Sequence, residues 1–283
     1  MIYIFLSVCC SVFVSVLLKL AKRYEIDTRQ AITWNYSIAG LLSWLIFKPE
    51  IPEFSQNSYP VYIALGLLLP LIFVVLAQSV KHTGIVKSDI AQRLSLFIPV
   101  LAAFLIYNEP FTVTKITGIL IAFTAIIFSV PWHKQNGNSN SYWIYPIVVF
   151  IGMGIIDILF KQIARAVNIP FTSSLLVIFI LAFIISITYL LYQILVNGLK
   201  LTIINLVCGW ILGIANFGNI VFYLKAHQTL SNQPSVVFSS MNIGVILLGS
   251  AVGIIIFKEK LSRLNYAGIV LSLISILILT LAE

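Results

Sequence analysis

Two pairs of opposite charges lie inside otherwise apolar stretches of the chain. Asp89 and Arg93 are four residues apart, and Asp157 and Lys161 repeat that spacing further on. Residues four apart share one face of an α-helix, so each acid can pair with its base. Ionisable residues are rare in apolar helices and usually serve a function there. The spacing therefore predicts that each pair is either part of a solute-binding cluster or a structural ion pair that orients its helix.

Amide side chains extend both clusters. Gln92 lies beside the first charged pair, and the segment Gly-Ile-Ala-Asn-Phe-Gly-Asn supplies Asn216 and Asn219. Amides can hydrogen-bond a solute, whereas Gly209 and Gly213 form a small-xxx-small pair of the kind that packs helices together. We expect packing for the glycines and a lining role for Asn216. The predicted solute-binding residues are Asp89, Gln92, Arg93, Asp157, Lys161, Asn216 and Asn219.

Composition indicates the environment of these residues. Hydrophobic residues make up 60% of the 283 and charged residues only 9%, with a mean hydropathy of +1.05. Soluble domains carry about 25% charged residues, so this chain is predicted to be an all-α membrane protein. Its net charge of +8 is carried by scattered single residues. Because no basic stripe is present, nucleic-acid binding is not expected.

Signatures of several other classes are missing from the sequence. There is no Gly-Lys pair and hence no P-loop for ATP, and neither HExxH nor GxSxG occurs. No cysteine pair has the spacing of metal ligands, and His82, His133 and His227 are too dispersed for a metal site. We therefore expect no cofactor and no metal.

Apolar runs long enough to cross a bilayer divide the chain into ten predicted spans. A span needs about 20 mainly apolar residues. The most polar stretch, 131–142, lies near the middle and predicts a linker between a first half, 1–130, and a second half, 143–283. The predicted spans are 2–21, 31–47, 60–80, 85–106, 112–130, 143–164, 171–196, 203–224, 233–257 and 263–281.

The two halves resemble each other in sequence. Shifting residues 104–130 by 150 positions aligns Glu109 with Glu259 and Gly118 with Gly268, without a gap. With five spans in each half, the second half must cross the membrane in the opposite sense. The fold predicted is therefore ten transmembrane helices in two inverted five-helix repeats, with a solute site between them.

The repeat also distinguishes the roles of the buried charges. Asp157 lies deeper in its run than Lys161, so it is the first candidate for carrying a proton, with a structural anchor as the alternative. Lys19 occupies the position equivalent to Lys161 in the first half, but Ser15 stands where the acid would be. We expect the long Lys19 side chain to reach toward the membrane surface instead.

Two glutamates lie at the ends of predicted spans rather than inside them. Glu109 precedes Thr112 and Glu259 precedes Ser262, and threonine and serine are common N-caps of helices. Because of this context, we expect a role in capping and loop structure for both glutamates rather than a catalytic one.

Two segments of the repeat resemble the EamA-type, ten-span branch of the drug/metabolite transporters. These are Phe104-Leu-Ile-Tyr-Asn-Glu-Pro-Phe-Thr with the glycine that follows, and its counterpart Ile255-Ile-Phe-Lys-Glu-Lys-Leu-Ser. The family often has glycine before the glutamate, whereas Asn108 and Lys258 stand here. The resemblance implies a central cavity lined by spans one, three, four, six, eight and nine. It also implies the export or exchange of small metabolites, amino acids, drugs or nucleotide-sugar-like solutes.

Together these features predict a secondary transporter, an exporter or exchanger, that moves a small polar or amino-acid-like solute by alternating access. The alternative is a membrane-embedded enzyme acting on lipid or isoprenoid phosphates. We expect a monomer in the bilayer of a bacterial inner membrane, with a proton or counter-solute as a further partner. Loops on one side carry ten basic residues and those on the other four, which places the termini outside. The family resemblance implies the opposite orientation.

Overall fold

The structure, a computed structural model, is built of helices. It describes residues 1–24, 26–49, 59–83, 85–110, 112–129, 144–166, 170–256, 258 and 262–281, and these contain no strand. The helices are α1 (Ile2–Arg23), α2 (Thr28–Phe47), α3 (Tyr59–Thr83), α4 (Ile85–Leu94), α5 (Phe97–Leu105), α6 (Val113–Ser129), α7 (Ile144–Arg165), α8 (Phe171–Asn197), α9 (Ile203–Thr229), α10 (Pro234–Ile255) and α11 (Arg263–Leu281).

Length and hydropathy identify the helices that can cross a membrane. Within the described residues, α7, α8, α9, α10 and the Tyr59–Ser79 part of α3 are long and apolar enough to do so. Shorter apolar segments are Ile2–Leu17, Ala91–Leu105, Val113–Phe128 and Arg263–Leu279. The chain is thus a multi-pass membrane protein whose backbone polar groups are satisfied within helices.

The predicted fourth span is not one continuous helix. Proline has no N–H, so Pro99 cannot bond the carbonyl of Ser95 four residues earlier. The N–H of Ile98 bonds that carbonyl instead, at 3.0 Å, and the Ser95 hydroxyl donates to the Gln92 carbonyl at 2.6 Å. The chain therefore turns at Ser95 and Leu96, between α4 and α5.

Close packing of α9 against α2 depends on two glycines. A Cβ atom at Gly209 would lie 2.8 Å from the Ala31 carbonyl oxygen, and one at Gly213 would lie 2.5 Å from that of Asn35. Both distances are too short for a side chain, and although side-chain atoms of Trp34 and Ile38 lie closer still, these backbone atoms cannot rotate away. The packing role predicted for this small-xxx-small pair is confirmed.

The loops that follow α5 and α10 share a backbone feature. Asn108 has φ 52° and Lys258 has φ 53°, which places both residues in the left-handed region. Thr112 and Ser262 each accept a bond from the backbone N–H three residues later, at 3.3 and 3.2 Å, and so cap α6 and α11. A left-handed residue favours glycine. Asn108 and Lys258 therefore hold a backbone conformation that glycine would adopt without strain.

Candidate functional site

A polar ladder joins α7 to α9 and contains one of the predicted charged pairs. On its first rung, the Tyr223 hydroxyl donates to Asp157 Oδ1 at 3.0 Å. On its second, Lys161 Nζ donates to the carbonyl oxygens of His227 and Ser231, at 3.3 and 3.0 Å. Asp157 and Lys161 are four residues apart on α7, as are Tyr223 and His227 on α9, and Ser231 lies in the turn that follows α9. These two rungs are called the α7–α9 ladder below.

The ladder replaces the ion pair predicted from the spacing of its two charged residues. Among the described residues, Asp157 and Lys161 do not pair with each other. Lys161 is fully buried at the C-terminal end of α9, where carbonyl groups lack helical partners and the helix dipole is negative. The ammonium group is therefore neutralised in part by a helix end instead of by a carboxylate.

His227 also lies in the ladder, although it is not among the predicted solute-binding residues. Its side chain is 1% exposed and its ring packs 4.7 Å from the rings of both Tyr223 and Phe238, centroid to centroid. Neither imidazole nitrogen has a hydrogen-bond partner among the described residues. A buried polar group without a partner costs free energy, so it calls for an explanation. The sequence signal available for His227 was its spacing of four residues from Tyr223, which places both side chains on one face of α9.

A second polar contact lies about two helical turns from the ladder along α9. Asn216 Nδ2 donates to Asn35 Oδ1 of α2 at 3.3 Å, and both side chains are buried. They border a small pocket with room for about one water molecule. Its other walls are apolar: Val14, Ile32, Phe73 and Leu212. Asn35 was not predicted, because a single asparagine in α2 has no distinctive spacing.

The remaining predicted residues lie apart from these contacts. Asn219 accepts a bond at 2.7 Å from the Ser7 hydroxyl of α1 and so joins two helices. On α4, Gln92 is exposed and Arg93 is half-buried. The side chains of Asp89 and Lys19 lie outside the described part of the structure, so the predictions made for these two residues stay predictions.

A buried carboxylate on the α5–α6 loop forms a separate polar group. Glu109 is 3% exposed and contacts Lys115 Nζ at 3.0 Å. It also accepts bonds from the backbone N–H of Ser235 at 2.9 Å and from its hydroxyl at 2.6 Å. The predicted capping role is therefore confirmed for Glu109, but the helix it caps is α10 rather than its own neighbour α6. Glu259 lies outside the described residues.

Comparison with known proteins gives the family. The pattern of the EamA-like transporter family matches residues 1–130. An uncharacterized protein of Haemophilus influenzae is 42% identical over 280 residues, covering 95% of this chain and 94% of that one. A crystal structure of a protein 12% identical in sequence has the same fold, with a TM-score of 0.75 over 99% of both chains. The chain belongs to the EamA-like transporter family of the drug/metabolite transporter superfamily.

Proposed function

We propose that the protein is a secondary transporter that exports or exchanges a small polar or amino-acid-like solute by alternating access. In this proposal, α4 and α5 form one span, and ten spans are divided into inverted repeats at 1–130 and 143–283, joined by the linker 131–142. The protein acts as a monomer in a bacterial inner membrane, and its further partner is a proton or a counter-solute.

Helix packing supports the inverted repeat. The helix α1 packs on α9 and α10, and its counterpart α7 packs on α3, α4 and α5. Likewise α2 packs on α9, whereas its counterpart α8 packs on α3. The pairs α2–α8, α6–α11 and α5–α10 each join a helix to its own counterpart. A two-fold axis relating the halves produces this exchange of partners, and the proposed odd number of spans in each half places that axis in the membrane plane.

The observation that carries the transport mechanism is the α7–α9 ladder. Asp157 lies in a membrane helix and bonds a neutral hydroxyl rather than a cation. Such a carboxylate can take up and release a proton while Tyr223 stays in contact, because a hydroxyl both donates and accepts. The amides of Asn216 and Asn35 provide contacts for a polar solute beside the pocket. Lys161 holds the end of α9.

The other predicted residues have smaller parts in this proposal. Asn219 supports the packing of α1 on α9. Asp89, Gln92 and Arg93 of α4 remain candidates for a second polar surface of the cavity. The enzyme alternative is not favoured, because no observation draws the described acidic residues into one reactive cluster: Asp157 bonds Tyr223, and Glu109 pairs with Lys115.

The test uses purified protein in proteoliposomes and a solute identified by metabolite profiling of cells with and without the gene. We expect Asp157→Asn to abolish uptake driven by a pH gradient while solute exchange remains measurable, since an amide keeps the shape but cannot titrate. Asp27→Asn, which changes a carboxylate in the loop before α2, should leave both activities unchanged.

Full gradient-driven uptake by the Asp157→Asn protein would make Asp157 structural. No dependence of the wild type on any ion gradient would make the protein an exchanger or facilitator. Failure of the wild type to move any profiled solute would count against transport itself.

A further inference from the structure

Two buried charges flank the short turn between α9 and α10, which spans residues 230–233. Lys161 bonds carbonyl oxygens at the end of α9, and Glu109 bonds the N–H and hydroxyl of Ser235 at the start of α10. The C-terminus of a helix carries partial negative charge and the N-terminus partial positive charge. Each charge therefore lies at the helix end that it stabilises.

The Glu109 contact connects two distant parts of the chain. Glu109 belongs to the α5–α6 loop and its partner Lys115 to the first turn of α6, whereas Ser235 belongs to α10. The hydroxyl of Tyr107, in the same loop, donates to the Ile158 carbonyl of α7 at 3.1 Å. One loop of the first proposed repeat thus holds two helices of the second at the same end of the molecule.

The start of α10 covers one end of the α7–α9 ladder. Phe238 follows Ser235 by three residues, close to one helical turn, and its ring packs against that of His227. His227 is buried with neither ring nitrogen bonded among the described residues. Movement of the first turn of α10 would let water reach this imidazole. Glu109 thus bonds the first turn of α10, and the residue that packs on His227 follows about one turn later.

We infer that the contact of Glu109 with Lys115 and Ser235 is a latch that keeps this end of the transporter closed. When the latch opens, the first turn of α10 moves away and water reaches His227 and the ladder. Glu109 is a positioning residue, because it acts on the ladder through α10 and Phe238. This inference rests on the proposed alternating-access function, which requires each end to open in turn.

The first test measures how fast diethyl pyrocarbonate modifies His227 in the full-length protein in liposomes, with mass spectrometry resolving each histidine. Glu109→Gln keeps the shape but turns an amide N–H or a neutral oxygen toward Lys115. We expect it to raise the modification rate of His227 by about tenfold or more, because hydrogen bonds to charged groups are the strong ones. Lys115→Met should act in the same direction.

The matched control is Asp27→Asn. Asp27 is also a carboxylate that caps a helix and pairs with a cation, Arg29, but at the start of α2. It should leave the His227 rate unchanged. His227 must still react more slowly in the Glu109→Gln protein than in detergent-denatured protein, which separates opening from unfolding. An unchanged His227 rate in both Glu109→Gln and Lys115→Met would overturn the latch.

The second test locks the contact covalently. With Cys9, Cys10 and Cys208 replaced by alanine, Glu109→Cys and Ser235→Cys are bridged by a short, reducible bis-methanethiosulfonate. We expect the bridge to protect His227 from diethyl pyrocarbonate and to stop solute exchange, with both restored by dithiothreitol. A bridged protein that still exchanges solute at the unbridged rate would show that exchange does not require this contact to open, and would overturn the latch. The His227 readout needs no transported solute, so the latch can be judged even if the transport proposal fails.

Discussion

Replacing Gly213 by alanine tests whether close contact between α2 and α9 supports the proposed solute site. The change adds one methyl group, whose carbon would lie 2.5 Å from the Asn35 carbonyl oxygen and 2.9 Å from the Asn35 Cα. Both atoms are backbone and cannot rotate away. Restoring an ordinary contact of 3.4 Å would move the two helices apart by about 1 Å.

The magnitude follows from a comparison with a second glycine. Overpacking of this kind costs about 1–3 kcal/mol, and alanine gains up to about 1 kcal/mol over glycine in helix propensity. Gly249 of α10 has open space where its Cβ would be. Gly249→Ala therefore receives the propensity gain without the clash. The difference between the two variants should be about 1–3 kcal/mol, plus about 0.6 kcal/mol if the Asn216–Asn35 bond is lost.

The assay is thermal unfolding of both variants and the wild type in the same detergent, followed by solute binding. We expect Gly213→Ala to unfold several degrees below the wild type and to bind solute more weakly, because the Asn35 and Asn216 amides are separated. Gly249→Ala should match or slightly exceed the wild type in stability. Equal unfolding temperatures for the two variants would refute the packing argument. Normal solute binding by a destabilised Gly213→Ala protein would remove Asn35 from the site.

Two further predictions concern charges at helix ends. Lys161→Met removes both carbonyl contacts at the end of α9 and should lower the free energy of unfolding by about 2 kcal/mol; a more stable variant in thermal unfolding would show that the cost of burying the charge dominates. Burial raises the pKa of the Asp27 carboxyl, but Arg29 and the backbone N–H groups lower it more, so its pKa in the folded protein is below the usual value. Its stabilising effect is present above the unfolded pKa of about 3.9 and is lost as the pH falls through the folded pKa. Asp27→Asn should therefore flatten the pH dependence of unfolding temperature below about pH 4, and an unaltered profile would contradict this.

The helices and their environment could be predicted from the sequence because both depend on composition. Few charges and long apolar runs leave the bilayer as the only suitable solvent. The packing role of the glycine pair in α9 was also predictable, because the spacing alone identifies a packing face. The prediction does not depend on which helix packs against that face. The break at Ser95 was harder to predict. Pro99 indicates a kink in α4 and α5, but proline is compatible with both a bent helix and an interrupted one. In α3, Pro70 lies within a continuous helix.

The loops that precede α6 and α11 show what a local departure from a family pattern means. Asparagine at position 108 and lysine at 258 replace a common glycine, yet both adopt a left-handed backbone. Asparagine tolerates that conformation better than most residues, whereas lysine does so at some cost. The left-handed backbone conformation is therefore retained at both positions although the residue type differs. A comparison of sequences alone detects only the change of residue type.

The partners of the buried charges could not be predicted, and the reason is physical. The rule for residues four apart considers only partners on the same helix, and it paired Asp157 with Lys161. In the folded chain the unsatisfied carbonyl and N–H groups at helix ends compete for these charges. Lys161 of α7 contacts the end of α9, and Glu109 of the α5–α6 loop contacts the start of α10. Neither contact can be predicted from the spacing of residues along one helix. In a protein made of many membrane helices, helix ends are numerous and poorly solvated. When a buried charge lies close to the end of a neighbouring helix, that helix end should therefore be considered as its partner first. An opposite charge on the same helix should be considered second.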